Sequence, residues 1–434
     1  MVYHRAPSVL HLYSVQASGT SKEVGPLVEH LFRRESGKLT AALTRFFGSA
    51  HLDLAEDVVQ DTLLKAMHEW PFKGVPNDPV AWLHRVARNG AMDRLRRDAR
   101  GAQLLKEQAP LLRSEWSMAV TVNEALRPES LADDQLRMFF ACCHPALPTE
   151  QQVALVLKTL CGFGVPEIAR AFVTNEETIN KRLYRAREAF RALGRLEIPQ
   201  GADLNARTEH VLASIYLLFN EGYNATRNAD LIREDLIEEA LRLADLLTRN
   251  PSTDRPEVHA LLALMIYHAA RSEARSDTEG NIILLADQDR SRWDRALIAL
   301  AAQHLDRATQ SGIATSYHLE AAIAGMHAHA PTFAATRWVD IVTLYDRLLL
   351  LKPNAIVRMN RAVAVAEAQG ADEGLRALEQ VHGLEDHHVF QATRGELMRR
   401  AGRTEEARTA FQLALSLATT PQERTLLEQR LAAL

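Results

Sequence analysis

In residues 175–190, NEETINKRLYRAREAF, the apolar residues Ile179, Leu183, Ala186 and Phe190 lie four, three and four positions apart. A helix of 3.6 residues per turn brings those spacings onto one face, whereas a strand would scatter them over both. Comparable spacing recurs along most of the chain. Ala, Leu, Arg and Glu dominate, and there are only 20 glycines and 16 prolines in 434 residues. An all-α fold is therefore expected. The length allows several domains with real cores, and the 47% apolar and 24% charged fractions exclude gross disorder.

The segment just before sharpens this. Pro166 suits the first turn of a short helix, where its missing N–H costs nothing. Val165, Ile168, Ala169 and Phe172 would face inward. A turn is expected near Val173-Thr174-Asn175, with Thr174 or Asn175 capping the second helix. That helix would leave Glu177, Thr178, Asn180, Lys181, Arg182, Arg185 and Arg187 outside. Such a helix-turn-helix can enter a major groove, and it can equally be a helical hairpin with a solvated face.

The chain carries a net charge of −4, which by itself argues against nucleic acid, but the charge is uneven. Residues 81–100 hold six arginines against two aspartates, and residues 176–195 six basic residues against three glutamates. Two basic islands in an acidic remainder suit a polyanion partner. The first island, AWLHRVARNGAMDRLRRDAR, has Trp82, Leu83, Val86, Ala87 and Leu95 as its apolar stripe. Arg85, Arg88, Asn89, Met92 and Arg96 are expected to form an exposed one. It follows a loop expected from Trp70 to Pro79, rich in proline. Before that, LAEDVVQDTLLKAMHEW places Val58, Leu63, Leu64 and Met67 near one face and Asp57, Gln60 and Asp61 on another.

These motifs, in this order, closely resemble bacterial sigma factors of the extracytoplasmic-function group. The likeness covers roughly residues 24–195 and rests on D-x-x-Q-D-T, W-L-x-R-x-A-R-N-x-x-x-D-x-x-R-R and E-I-A…E-T-I-x-x-R-L-x-R-A-R. It implies two small helical domains, region 2 (24–100) and a helix-turn-helix region 4 (131–197); the mixed, weakly periodic residues 101–130 between them read as a linker, and residues 1–23 as a flexible tail. It implies that Asp57, Gln60, Asp61 and Thr62 dock on core RNA polymerase. Phe72, Lys73 and Asn77 would meet a base flipped from the −10 element. Arg85, Arg88, Asn89, Arg96 and Arg97 would touch −10 bases and phosphates, while Trp82 and Asp93 hold their helix. Glu177, Thr178, Asn180, Lys181, Arg182 and Arg185 would read the −35 element. The protein would then be no enzyme. It would use no cofactor, bind core polymerase and promoter DNA, and assist promoter melting. An alternative from another class is a helix-turn-helix regulator with a repeat-bearing sensor domain, working without core polymerase.

Proteins of this group usually end soon after region 4, and this chain continues. After the break at Ile198-Pro199-Gln200-Gly201 comes an Ala/Leu-rich array: a helical extension domain (198–330), then tetratricopeptide-like repeats (331–434). Tyr345, Leu378 and Phe411 stand 33 apart, followed at three residues by Leu348, Val381 and Ala414. The chain thus resembles the subgroup with such an extension, which implies an in-chain regulatory module with a protein or small-ligand regulator. LLFNEGYNA (217–225) and LADQDRSRWDRALI (285–298) interrupt apolar runs with Asn220, Glu221, Asp287, Asp289, Arg290, Arg292, Trp293 and Asp294. This is the pattern of a buried polar network, or of a ligand site. Cys142-Cys143-His144 and Cys161 read as buried small residues rather than zinc ligands, and no metal site is expected. Three cysteines imply no disulfide framework, and no apolar run reaches the ~18–20 residues of a membrane span. A cytoplasmic location without membrane contact is expected.

Overall fold

The computed structural model describes residues 24–98, 128–172, 174–194, 196–223, 234–310 and 312–434; the side chains of 24–34, 95–98 and 128–131 are not described. The expected tail and most of the expected linker lie outside these residues. Among the described residues every regular element is helical, apart from one isolated bridge between Ser276 and Ile282. The described residues divide into two compact units, one ending at Leu218 and one beginning at Phe219.

The first unit holds α1 (Val24–Phe47), α2 (Leu52–Lys73), α3 (Pro79–Asp98), α4 (Pro128–Cys142), α5 (Thr149–Thr159), α6 (Val165–Ala171), α7 (Glu176–Arg191) and most of α8 (Gly201–Tyr223). Helices α1, α2 and α3 bury Leu39, Leu43, Phe46, Phe47, Ala55, Val58, Val59, Ala87, Ala91 and Met92 together. Removing each large side chain from water contributes about 1.5–3 kcal/mol. Met92, expected on the exposed stripe of α3, is only 7% exposed. It packs into the core that α1 and α2 form with this face of α3. A second cluster joins Ala66, Trp70 and Leu83, with Trp82 packed edge-on to Trp70 at 5.3 Å.

The loop before α3 is shorter than expected. Helix α2 continues through Pro71 to Lys73, because the buried Trp70 anchors its last turn and Glu69 accepts from Lys73 at 3.0 Å. Phe72 and Lys73 are therefore helical, and the loop begins at Gly74.

In the second half of this unit α5 is almost wholly buried, from Gln152 through Leu157. It starts at Thr149 with Pro148 at the N-cap, whose carbonyl accepts from the Gln152 amide at 3.0 Å. Pro166 sits in the first turn of α6 as expected. Asn175 caps α7, accepting from the Thr178 amide at 2.8 Å, and Ile179, Leu183, Ala186 and Phe190 are buried. Helix α8 starts after the Ile198–Gly201 break yet still packs into the first unit. Ser214 donates to Gln152 at 3.0 Å, and Arg207 to the Phe140 carbonyl at 2.9 Å.

The second unit holds α9 (Glu234–Thr248), α10 (Pro256–Ala269), α11 (Arg295–Thr309), α12 (Ser316–His329), α13 (Trp338–Leu351), α14 (Ala355–Gln369), α15 (Ala371–Leu378), α16 (His388–Arg400), α17 (Thr404–Leu417) and α18 (Pro421–Ala432). Helix α10 is buried on nearly every side, as its almost uninterrupted apolar sequence requires. From α14 on, the helices share a core in which the repeat positions Leu378, Val381, Phe411 and Ala414 are buried. Gly395 lies against Phe411 so closely that a Cβ there would stand 2.9 Å from the ring.

Candidate partner and nucleic-acid interfaces

Helix α2 presents Asp57, Gln60 and Asp61 to solvent. Thr62 does not join them: it is 2% exposed and donates to the Val58 carbonyl at 2.8 Å. It faces inward because it shares its face with Val58 and Val59. Leu64 and Met67, expected on one apolar face with Val58 and Leu63, are instead 54% and 56% exposed. They continue the outward stripe of Asp57, Gln60 and Asp61 at helical spacing. A stripe of two carboxylates and an amide running into two bare apolar residues is suited to a protein partner. The signal lies in the spacing, whereas apolar type alone groups Leu64 and Met67 with Val58 and Leu63. Asp61 also meets Arg94 at 3.4 Å.

At the end of α2, Phe72 is 90% exposed, and Lys73 and Asn77 are exposed beside it. Asp78 accepts from the Ala81 amide at 2.9 Å and so starts α3. Arg85 and Asn89 are exposed one turn apart, and Arg88 is half-buried. Arg96 and Arg97 continue the helix, but their side chains lie outside the described residues. An unpacked aromatic beside exposed basic and amide groups can stack on an unpaired base while neutralising phosphate. Trp82 packs against Trp70 and holds α3 in place.

On α7, Glu177, Asn180, Lys181 and Arg185 are exposed, and Thr178 is partly so. Glu177 and Lys181 pair at 2.7 Å. Arg182 is held by Glu150 and lies over Phe172, 5.8 Å from the ring centre. Tyr184, which the sequence reading passed over, is 67% exposed among these residues. Arg187 is not on the open face. It donates to Glu56 at 2.5 Å and Asp53 at 3.3 Å, and Arg191 also pairs with Asp53. Burial pushes the Glu56 carboxyl up, while Arg187 and Lys158 pull it back.

The two halves of this unit thus meet through charge. They also meet through Arg45, which donates to the buried Asp134 at 2.7 Å. They meet sterically at Gly37, where a Cβ would stand 1.9 Å from the Leu160 carbonyl oxygen.

Cys142, Cys143 and Cys161 are buried free thiols, and burial pushes Cys142 up to about 12. Among the described residues no group of three or more metal-ligating side chains occurs.

The polar residues of the extension have separate tasks. Asp289 accepts from Ser291, Asp294 caps α11 through the Ala296 and Leu297 amides, and Asp287 pairs with Arg430. Arg290 and Trp293 are buried, Arg292 is exposed, and Asn220 and Glu221 are half-buried.

Comparison with known proteins agrees with this geometry. Residues 31–101 match sigma-70 region 2, and residues 140–190 match sigma-70 region 4. Residues 207–309 match a family of unknown function, and residues 285–434 a tetratricopeptide repeat-like domain. The ECF RNA polymerase sigma-E factors of Salmonella typhimurium and Escherichia coli are 28% identical over 159 residues, 36% of this chain and 80% of theirs. The chain belongs to the sigma-70 factors of the extracytoplasmic-function type, in the form that carries a C-terminal tetratricopeptide-like extension. An uncharacterized protein of Rhizobium meliloti is 38% identical over 392 residues, 90% of this chain and 92% of its own length, so the extension is shared with that relative. The protein is an alternative sigma factor, of a family that is in general not enzymatic. No helix among the described residues is long and apolar enough to cross a membrane.

Proposed function

We propose a division of labour within this sigma factor. The stripe Asp57, Gln60, Asp61, Leu64 and Met67 docks on core RNA polymerase, with Thr62 supporting it from inside. Phe72, Lys73 and Asn77 take an unpaired −10 base, and Arg85, Arg88, Asn89, Arg96 and Arg97 hold the strand around it. Flipping a base costs a few kcal/mol, which stacking on Phe72 and the bound polymerase offset. Glu177, Thr178, Asn180, Lys181, Arg182 and Arg185, now with Tyr184, read the −35 element. The observation that carries the reading is Phe72: a side chain 90% exposed on a basic edge has no packing task. Residues 24–100 and 131–197 act as the two promoter-facing domains, and the 198–330 and 331–434 segments as an in-chain regulatory module.

The packed first unit cannot read a promoter unchanged. By their names the −35 and −10 elements lie about 25 base pairs apart, or about 85 Å at 3.4 Å per pair. A compact unit of this size measures only about 40 Å across. Parting of the two halves therefore precedes promoter reading.

The test is promoter-specific transcription by core polymerase reconstituted with the full chain. Phe72→Ala should lower transcript yield on duplex promoters at least tenfold, and much less on templates pre-opened across the −10 element. Asp61→Ala with Leu64→Ala should lose polymerase binding in pull-down. Equal yields from Phe72→Ala and wild type on duplex templates would remove the base-capture role. Intact polymerase binding by the double variant would remove the docking role. Truncation of the extension belongs after Leu218 rather than at residue 200, because Ser214 and Arg207 are bonded into the first unit.

A further inference from the structure

The second unit contains a cluster of positive charge without a counter-ion among the described residues. Arg271, Arg275 and Arg290 gather around Trp293 and Tyr223. The Arg290 guanidinium lies 4.5 Å and that of Arg271 5.9 Å from the Trp293 ring centre, and that of Arg275 lies 3.7 Å from the Tyr223 ring centre. None of the three makes an ion pair with a described carboxylate. Their bonds go to neutral groups. Arg290 Nη1 donates to the carbonyls of His327 and Ala330, and Arg271 Nη2 meets the Tyr223 hydroxyl and His268 Nδ1, each at 3.0 Å. Arg275 donates to the Tyr223 carbonyl.

Two features separate this from an ordinary structural network. Arg290 is 8% and Trp293 2% exposed, and Arg290 Nη2, Trp293 Nε1 and His327 Nδ1 are buried with no hydrogen-bond partner among the described residues. A buried donor left without an acceptor is destabilising, more so when charged. Second, the cluster gathers like charges, and an arginine desolvated without an anion is strongly destabilising. Both costs vanish if an anion accepts from the open donors. The histidines fit this: burial beside these arginines holds His268 well below its usual range and His327 at about 4, so both are neutral and neither supplies the missing charge nor adds to the excess.

We propose that Arg271, Arg290, Trp293 and His327 form a binding site for a small oxyanion, a carboxylate or phosphate. The occupant is small because Arg290 and Trp293 are too deeply buried to meet a macromolecular surface. Arg271, Arg290 and Trp293 lie in the segment matched by the family of unknown function and His327 in the tetratricopeptide repeat-like match, all outside the promoter-facing residues, and the site does not depend on their roles.

The test uses the full-length chain. Its melting temperature is followed against inorganic phosphate and against succinate, each compared with sodium chloride at matched ionic strength. The result expected is a saturable rise with phosphate, with succinate or with both, the responding arm naming the source, and none with chloride. Arg271→Gln removes one charge while leaving the Arg290–carbonyl bonds that tie down the end of α12. It should weaken the apparent affinity at least tenfold, and Arg271→Lys should recover part of it. Calorimetric titration of the same pairs gives the affinity should melting prove irreversible. Equal shifts with chloride, or a response unchanged in Arg271→Gln, would overturn the site.

Discussion

Gly37→Ala tests whether the first unit is held shut by a removable contact. The added methyl would stand 1.9 Å from the Leu160 carbonyl oxygen, and reaching the 3.0 Å that real Cβ contacts respect requires a shift of about 1.1 Å. Leu160 is buried and its backbone is fixed by the bond from its amide to Val156, so the shift falls on the contact between α1 and the end of α5. Overpacking of this kind costs about 1–3 kcal/mol. Within α1 alone, alanine is better than glycine by about 0.5–1 kcal/mol. The packed arrangement should therefore lose about 1 kcal/mol net, while α1 itself gains. A difference of that size changes the open-to-closed ratio about fivefold. Hydrogen-exchange mass spectrometry reads this directly. Peptides from α5 and the end of α7 should exchange several-fold faster, while those spanning Leu43 in α1 and Val58 in α2 keep their protection. Transcription at limiting core polymerase should rise, since opening comes first. Wild-type exchange throughout would refute the reasoning, and so would uniform loss of protection across the first unit.

Three further outcomes are expected. His304, buried against His259, is pushed down to about 3, and burial takes His327 to about 4. Both are neutral in the fold but protonate below pH 6.5 once unfolded, so stability is full above pH 6.5 and falls as pH drops toward these values. Each should cost about 2 kcal/mol by pH 5, seen as a falling melting temperature that His304→Gln partly flattens. All three cysteines are buried, so a maleimide should label no thiol in the native chain and three after denaturation. Gly395→Val drives a branched side chain into the Phe411 ring and should destabilise the second unit by about 2 kcal/mol in urea unfolding, leaving the first unit's transition in place.

The helical character of the chain was legible because its apolar residues repeat at one period, and the helix-turn-helix because Pro166 and Asn175 mark its starts. Residue type misled at Leu64 and Met67, which are apolar but exposed; helical position misled at Met92, which lies in the core; and Pro71 sits inside a helix that Trp70 holds together. Arg187 could not be placed from sequence, because its partners Asp53 and Glu56 are more than 130 residues away. The oxyanion cluster was half legible. Arg290 and Trp293 stood out as polar interruptions, but Arg271, Arg275 and His327 come from other segments and only tertiary structure assembles them.

The pairing of Arg187 and Arg191 with Asp53 and Glu56 has an electrostatic consequence. Any phosphate that meets these arginines must first displace two carboxylates already occupying them. Binding then exchanges one anion for another, and the freed carboxylates gather cations as the DNA sheds them. Each phosphate neutralised ordinarily adds about 0.9 to the slope of log affinity against log salt. Here that increment is largely cancelled at these two positions. Ionic strength weakens the internal pairing and the DNA contact together, so promoter affinity should respond to osmotic change less steeply than a count of its basic residues suggests.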